Sequence, residues 1–346
     1  MLPLALLFAS HLVSDAPRTV WKQPQLANRD GVLMLTFGAG NSIYYASSTD
    51  HGKTFSKPVK VGEKGFLSLG RHRGPRVESF SGSIIVSAVA GEKGGGADGD
   101  LLAWRSKDAG ISWEKPVRIN DVEGSAREGL HAMTAGNGLV VAAWLDLRAK
   151  GTRIYSSVSR DGGDTWSQNK LVYASPEGTV CQCCHPSLTV GEGGAIYVMF
   201  RNALGGSRDM YLSTSRDGGN TFVTEKLGFG TWTLNACPMD GGGLAVASNG
   251  ALLSIWRRES TIFYAKQGSK EDKLGPGKDA SIAAGLNNSL YAVWVSGGAI
   301  QYRSSLKPEA VTLSPKGDYP HIVLASNGKP VAAWEQDGGI VVQPLE

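Results

Sequence analysis

One eight-residue pattern, present in four copies, constrains the fold of this chain more than any other feature of the sequence. Each copy starts with serine, carries aspartate third and glycine fifth, and closes with serine or threonine followed by an aromatic residue. The copies occupy residues 48–55, 106–113, 159–166 and 215–222. Aspartate and hydroxyl side chains accept hydrogen bonds from the backbone of tight turns, where glycine takes the left-handed conformation. The four aspartates are therefore expected to be structural.

Segments rich in apolar and aromatic residues recur around these turns. Seven of them are predicted to be the second strand of a four-stranded unit: 31–37, 83–89, 139–144, 195–200, 252–256, 290–294 and 330–334. Units of roughly forty to fifty-five residues with four strands each are typical of a β-propeller. The sequence therefore predicts an all-β propeller with seven blades, and a ring of six blades with one irregular unit is the alternative.

The last unit, residues 318–346, is about one strand short of the others. An open propeller would leave two unpaired strand edges, which folded proteins avoid. We therefore expect an N-terminal strand near Arg18, Thr19, Val20 and Trp21 to complete the last blade and close the ring.

Composition agrees with many short strands and limits the partners. The chain contains 46 glycines among 346 residues, and long runs of strong helix formers are rare. Lysine and arginine total 35 against 31 aspartates and glutamates, without a basic cluster. Neither nucleic acid nor an anionic membrane is therefore expected as a partner.

The N-terminus, from Met1 to Ser10, is apolar over about the length of a signal-peptide core and too short to span a bilayer. We expect residues 1–16 to be a signal peptide and residues 17–346 to form one propeller domain. A packed or disordered leader is the alternative, because the apolar stretch lacks the usual preceding positive charges. Export would place the protein in the periplasm or outside the cell, and no other segment is expected to cross a membrane.

The eight-residue pattern resembles the Asp box, or BNR repeat, of the sialidase superfamily, in which the box joins the third and fourth strands of a propeller blade. This resemblance covers most of the chain and implies a glycan or another small molecule as ligand at the propeller mouth. Sialidases hold the sugar carboxylate with three arginines, the first in an Arg-Ile-Pro. The corresponding place here reads Lys22-Gln23-Pro24, and lysine lacks the planar fork that binds a carboxylate through two bonds.

Four residues are candidates for the rest of a sialidase-like catalytic set. Arg148, Arg201 and Arg257 follow second strands and could clamp a carboxylate, although solvated loop charges are the alternative. Tyr302 loosely resembles the tyrosine nucleophile of sialidases and equally resembles an ordinary third-strand residue. No glutamate or aspartate takes the remaining roles by motif, so the resemblance extends to the scaffold and not to the catalytic set.

Residues at the start of each innermost strand should line the mouth of the central channel. The repeat alignment places these starts at 22–24, 72–75, 128–131, 183–186, 237–240, 278–279 and 318–321. The residues that we expect to contact a ligand there are His72, Arg73, Glu128, His131 and Asp240.

All the cysteines of the chain fall near two of these starts: Cys181, Cys183 and Cys184, followed by His185, and Cys237 one blade later. A disulfide such as Cys183 or Cys184 to Cys237 would staple adjacent blades. Alternatively, the thiolates bind copper(I) or zinc together with His185, His131 or Met239. The Cys-x-x-Cys at 181–184 could also cycle between thiol and disulfide, but no thioredoxin-like context surrounds it.

Three functions follow from these features. The first is an exported Asp-box propeller with an axial ligand site around the Cys/His cluster, which could include a copper or zinc thiolate site. The second is an exo-acting, sialidase-like glycoside hydrolase. The third is a non-catalytic glycan- or protein-binding platform with the cysteines as staples. Fold alone does not decide between an enzyme and a binding protein.

Overall fold

The computed structural model describes residues 10–12, 20–286 and 289–346. Seven antiparallel sheets follow one another around a ring; six are made of consecutive strands, and the seventh combines the last three strands with an N-terminal one. Their innermost strands lie side by side around a central axis, and the last contacts the first. The predicted all-β propeller with seven blades is therefore confirmed.

A short 3₁₀ turn lies at Glu192–Gly194. The strands, numbered along the chain, are β1 (Ser10–Leu12), β2 (Trp21–Arg29), β3 (Val32–Ala39), β4 (Ser42–Ser48), β5 (Val59–Glu63), β6 (Phe66–Leu67), β7 (Arg76–Phe80), β8 (Ser83–Gly91), β9 (Asp100–Ser106), β10 (Val117–Arg118), β11 (His131–Gly136), β12 (Leu139–Asp146), β13 (Arg153–Ser159), β14 (Lys170–Tyr173), β15 (Ser187–Val190), β16 (Ile196–Arg201), β17 (Met210–Ser215), β18 (Val223–Lys226), β19 (Gly242–Val246), β20 (Leu252–Arg258), β21 (Thr261–Lys266), β22 (Asp272–Pro276), β23 (Lys278–Ala284), β24 (Leu290–Ser296), β25 (Ala299–Ser304), β26 (Lys307–Ser314), β27 (Asp318–Leu324), β28 (Pro330–Gln336) and β29 (Gly339–Pro344).

The blades take these strands in order from the axis outward. Blade 1 contains β2–β5, blade 2 β6–β10, blade 3 β11–β14, blade 4 β15–β18, blade 5 β19–β22, blade 6 β23–β26, and blade 7 β27–β29 with β1.

An N-terminal strand completes the last blade, as predicted, but different residues supply it. β1 pairs with β29 in the register Ser10 to Val342 and Leu12 to Ile340. Trp21 instead opens the innermost strand of blade 1, while Arg18 and Thr19 lie outside the described residues. The expectation of a closing strand near Arg18–Trp21 was therefore wrong in position, because Trp21 already pairs with Ala39 of β3 inside blade 1.

The four Asp boxes join the third and fourth strands of blades 1 to 4. In the third box, Thr165 donates to Asp161 Oδ1 through its backbone nitrogen at 3.0 Å and to Oδ2 through its hydroxyl at 2.5 Å. The amide of Gly163, at φ +85°, donates to Ser159 Oγ at 2.8 Å. The aspartate thus bonds within its own turn, as the sequence predicts.

The core consists of apolar layers between neighbouring blades. The layer between blades 6 and 7 contains Val293 and Trp334, and the layer between blades 7 and 1 contains Phe37 and Val342. Aromatic side chains near the ends of second strands are fully enclosed, among them Trp144. Each second strand is buried on both faces because it packs against two neighbouring blades, which explains its almost continuous apolar sequence.

Blade 2 departs from the regular pattern at its inner edge. Both β6 and β7 pair with β8, and the chain between them forms a tight turn. The Gly70 amide donates to the Arg73 carbonyl at 2.8 Å, and the Arg73 amide donates back at 3.1 Å. The two residues between them, Arg71 and His72, have φ values of +53° and +67°. Non-glycine residues rarely adopt this left-handed conformation, and such strain is concentrated at functional sites.

Candidate functional site at the propeller axis

A cavity of about 140 Å³ opens at the axis, at the end of the ring where the innermost strands begin. A cavity of about this size holds one six-membered ring. Every blade contributes to its wall, and the polar side chains of the wall are Gln23, Gln25, His72, Arg76, His185, Ser187, Asp279, Ser281, Tyr319 and His321.

The Arg71–His72 turn reaches across the mouth of this cavity. His72 Nε2 donates to Asp279 Oδ1 of blade 6 at 2.8 Å. The His72 ring stacks on His185 of blade 4 with centroids 4.2 Å apart, and it meets the edge of Tyr319 of blade 7 at 5.0 Å. Blade 2 thus contacts three other blades through one side chain, and His72 becomes the centre of the site.

Arg76 holds this turn in place from below. Its Nη2 donates to the His72 carbonyl at 2.8 Å, and its Nη1 donates to the carbonyls of Gly74 and Pro75 at 3.1 and 3.0 Å. Burial lowers the pKa of Arg76 to about 10. The guanidinium therefore remains charged at neutral pH and fixes the backbone that presents His72.

Two buried aspartates lie behind His72. The backbone amide of Asp279 donates to Asp240 Oδ2 at 3.0 Å, and Lys278 Nζ lies 3.1 Å from Asp279 Oδ2. Burial alone would raise the pKa of Asp279, but the hydrogen bond from His72 and the charge of Lys278 lower it. Burial and the charge of Asp279 raise the pKa of Asp240. Asp279 therefore carries the negative charge of this pair.

These groups also form a potential metal-binding set. One ligand atom each from His72, Asp240 and Asp279 lies within 4.8 Å of the others. The internal bonds of the set already satisfy His72 Nε2 and one oxygen of each aspartate. In this arrangement a carboxylate orients an imidazole, which favours acid–base chemistry by His72 over metal binding.

Tyr319 and Asp279 share an unusual backbone geometry with His72. Their φ values are +50° and +55°, and each stands at an irregularity in the pairing of its innermost strand. Such bulges re-aim side chains at the rims of β structures. Burial and the charge of Asp279 raise the pKa of Tyr319, so its phenol remains protonated at neutral pH.

The expected ligand-contacting residues divide into three groups. His72 lines the cavity, whereas Arg73 and Glu128 are not part of its wall and bond to each other, with Arg73 Nε donating to the Glu128 carbonyl at 2.6 Å. His131 is fully buried between blades 2 and 3, where its Nε2 is 2.9 Å from Ser87 Oγ. Asp240 is buried behind Asp279, and its carboxylate accepts a hydrogen bond from the Asp279 backbone amide.

The four candidate catalytic residues do not assemble at the axis, and none lines the cavity. Arg148 binds Asp146 through Nε at 2.8 Å and through Nη2 at 2.9 Å. Arg201 is buried and donates to three backbone carbonyls, one of them that of Arg257 at 2.8 Å. Tyr302 is buried in blade 6, with its hydroxyl 3.4 Å from the Glu346 carbonyl. The protein itself supplies the partners of these side chains.

Three of the cysteines lie together, with their sulfur atoms within 4.8 Å of one another. Cys181, Cys183 and Cys184 form the loop that leads through His185 into the innermost strand of blade 4, and Cys237 lies in the loop before blade 5. All four are free thiols, so the disulfide expected between Cys183 or Cys184 and Cys237 is not observed.

Sequence reasoning located the positions of Asp279 and Tyr319 but did not select them as site residues. Both stand at predicted strand starts, and both follow a charged residue, Lys278 or Asp318, that looks like an ordinary loop charge. Arg76 was missed altogether. The sequence offered one indication of its role: Arg76 stands two residues after Gly74, at the predicted strand start that also contains His72 and Arg73.

A family model described as BNR repeat-like domain matches residues 15–172 and 77–257, which together exceed half of the chain. The fold and these matches define the class as a BNR-repeat propeller. The chain belongs to the BNR repeat-like domain family. Among curated proteins, none matches the chain.

Solved structures share the architecture at low identity. The α-L-arabinofuranosidase Arb93A from Fusarium graminearum superposes with a TM-score of 0.52 at 12% identity, over 98% of this chain and 96% of that enzyme. A mutant of the NanB sialidase from Streptococcus pneumoniae gives 0.54 at 13% identity, over 100% and 71%. An ulvan lyase from a new polysaccharide lyase family gives 0.58 at 11% identity, over 94% and 93%. At these identities the likeness shows the fold alone. Within the described residues, no helix could cross a membrane.

Proposed function

We propose that this propeller cleaves glycans at its axial mouth and that His72 is the acid–base group of the reaction. The observation that supports this proposal is the bond between His72 Nε2 and Asp279 Oδ1 in the wall of the cavity. Because the carboxylate accepts the Nε2 proton, Nδ1 is the basic nitrogen of the neutral ring. A buried carboxylate that orients an imidazole in this way is the arrangement of a general base.

The cleavage that fits these groups best is β-elimination from a uronic acid residue. Most glycoside hydrolases, sialidases excepted, use two carboxyl groups on either side of the bond, about 5 to 9.5 Å apart. Here Asp240 is 1% exposed and does not line the cavity, and Asp279, which does, is 5% exposed and already bonded to His72 and Lys278. The wall also contains the His72 imidazole and the Tyr319 phenol, to which we assign the proton transfers.

In this reaction His72 removes the proton from C5 of the uronate, and a double bond forms between C4 and C5 as the C4–O bond breaks. Tyr319, whose phenol is protonated, donates its proton to the leaving oxygen. Arg71 supplies a cation for the uronate carboxylate, because it is exposed beside His72 and forms no ion pair with any carboxylate of the described residues. His72 then carries the C5 proton and Tyr319 is a phenolate, and transfer of a proton from His72 to Tyr319 restores both groups. No oxidant is needed.

The neighbouring folds support the substrate class. A sialidase, an arabinofuranosidase and an ulvan lyase all have this architecture. The wall of the axial cavity is mostly polar, which suits the hydroxyl groups of a sugar.

Export is part of the same proposal, since glycan polymers lie outside cells. Sequencing the N-terminus of protein recovered from the periplasm or medium tests it. A mature chain that starts near residue 17 supports the predicted leader, whereas full-length protein retained in the cytoplasm contradicts it. Such cleavage would also remove β1 and leave β29 without its outer partner.

The experiment is a product assay on uronate-containing polysaccharides, with sialosides as the comparison. Elimination creates an unsaturated uronate that absorbs in the ultraviolet, whereas hydrolysis yields only new reducing ends. His72→Ala should lower the rate by about 10²- to 10⁴-fold. His51→Ala is the matched control, because His51 lies in the first Asp box and bonds to Ser326.

Three outcomes decide against the proposal. If the products show new reducing ends but no ultraviolet absorbance, the reaction is hydrolysis and not elimination. Full activity of His72→Ala would move the chemistry away from the axis. Binding of a glycan without any cleavage would identify a binding platform.

A further inference from the structure

The cysteines form a compact sulfur cluster that glycan cleavage does not use. Cys181 Sγ lies 3.7 Å from Cys183 Sγ and 3.5 Å from Cys184 Sγ. The three sulfur atoms all lie within 4.8 Å of one another. Cys181 and Cys184 are buried, and Cys183 is partly so. Three thiols from four consecutive residues therefore point into one volume.

A fourth thiol adjoins this cluster from the next blade. The Cys183 thiol shares a side-chain hydrogen bond with Cys237. Cys237 is exposed, on the loop that precedes β19 of blade 5. The cluster thus has a fourth donor at its open side.

The sulfur separations match those of a metal site better than those of a disulfide. Four thiolates around a tetrahedral zinc ion, at about 2.3 Å each, lie about 3.8 Å from one another. A disulfide requires about 2.05 Å between two sulfur atoms. Cys181 is nearly equidistant from two partners, at 3.7 and 3.5 Å, so pairing it with either would leave the other thiol behind.

A buried positive charge beside the cluster also calls for an anionic partner. Arg201 is 1% exposed and donates to the carbonyls of Asp240, Arg208 and Arg257 at 3.1, 2.6 and 2.8 Å. None of these acceptors carries a charge, and the field of Arg201 reaches the Cys184 thiol. A metal ion with three or four thiolates has a net negative charge, which the Arg201 guanidinium would offset.

We propose that Cys181, Cys183, Cys184 and Cys237 bind one thiophilic cation with a filled d shell, Zn²⁺ or Cu⁺. Sulfur is the donor that both ions prefer, and neither imposes a geometry of its own. The ion displaces the thiol protons and ties the loop of blade 4 to the loop of blade 5. Because Cys184 precedes His185, the bound ion also fixes the ring on which His72 stacks.

The test starts with protein purified without chelator and without added metal. Elemental analysis should find one zinc or copper per chain, and a thiol reagent should react slowly until a chelator removes the ion. Refilling the emptied protein with Co²⁺ should produce sulfur-to-cobalt charge-transfer absorption. Cultures supplemented with zinc or with copper distinguish the two ions.

Variants locate the site. Cys183→Ser should weaken metal binding by more than about 100-fold, whereas Met239→Leu, which changes a neighbouring sulfur, should leave it unchanged. If Cys183→Ser fails to fold, cobalt spectra of the refilled wild-type protein decide the matter alone. Four reactive thiols with no bound metal would overturn the proposal. A protein mass lower by two or four hydrogens than that of the fully reduced chain would indicate disulfides and would overturn it as well.

Discussion

His72 of blade 2 and Asp279 of blade 6 are joined at 2.8 Å across the propeller mouth. Asp279→Asn keeps the size of the side chain but removes the charge that orients the imidazole. We expect kcat to fall by about 10²-fold or more with little change in KM, because the loss concerns the transition state. Steady-state kinetics on the cleaved polysaccharide measure both constants.

Lys278→Met is the control for this variant, because it removes the other partner of Asp279, which lies at 3.1 Å, and leaves His72 in place. Its effect on kcat should stay below about tenfold. Equal losses in the two variants would mean that the pair maintains the fold and does not orient the base.

Two tyrosines distinguish the axial site from a sialidase-like one. Tyr319 touches the His72 ring, whereas the Tyr302 hydroxyl points to the carbonyl of Glu346. Tyr319→Phe should lower kcat by about 10²-fold, since the proton donor is lost. Tyr302→Phe should keep full activity. The reverse pattern in the same assay would restore Tyr302 as a nucleophile.

The Asp boxes should make the free energy of unfolding depend on pH in the acidic range. Slight burial alone would raise the pKa of Asp161, but hydrogen bonds from Thr165 lower it to about 2. Its folded pKa therefore lies below the unfolded value of about 3.9, so the stabilisation is present above about pH 4 and is lost as the pH falls toward 2.

Melting temperatures between pH 7 and pH 2 test this expectation. Asp161→Asn should melt lower at pH 7 and lose less on acidification than the wild type. Asp272→Asn, at an exposed position outside the boxes, should follow the wild-type curve. Identical acid slopes for the wild type and Asp161→Asn would contradict the expectation.

Arg148 should prove structural. It binds the fully buried Asp146 through two nitrogens, and its guanidinium lies 3.9 Å above the Tyr155 ring. Arg148→Ala would leave the Asp146 charge buried with fewer partners, so we expect a loss of about 3 kcal/mol in unfolding free energy. Denaturant unfolding measures it, with the exposed Arg216→Ala as control. A stable but inactive Arg148→Ala protein would instead support a carboxylate clamp.

The fold was predictable because each blade is a local structure. The turn chemistry at Asp50, Asp108, Asp161 and Asp217 and the apolar second strands repeat along the chain, so the sequence alone predicts seven blades. The identity of the closing strand was not predictable in this way. The pairing of Ser10–Leu12 with β29 joins the two ends of the chain, and no local pattern records it.

The site was predictable in position and not in contacts. Aligning the repeats placed His72 at the mouth, because equivalent strand starts converge on one axis. The contacts of His72 with blades 4, 6 and 7 depend on the Arg71–His72 turn, whose conformation is unusual for these residues. Arginines after second strands resembled a clamp, but Arg201 binds backbone carbonyls that only the folded ring brings near it.

The central claim is that a sugar ring binds in the axial cavity against His72. A crystal structure of His72→Ala with a cleavable uronate oligosaccharide tests it most directly, because the substrate persists in that variant. The account predicts a uronate ring inside the cavity, with its C4 oxygen near the Tyr319 hydroxyl and its C5 facing the vacated position 72. An oligosaccharide bound on the outer face of the blades, with the cavity free of sugar, would contradict it.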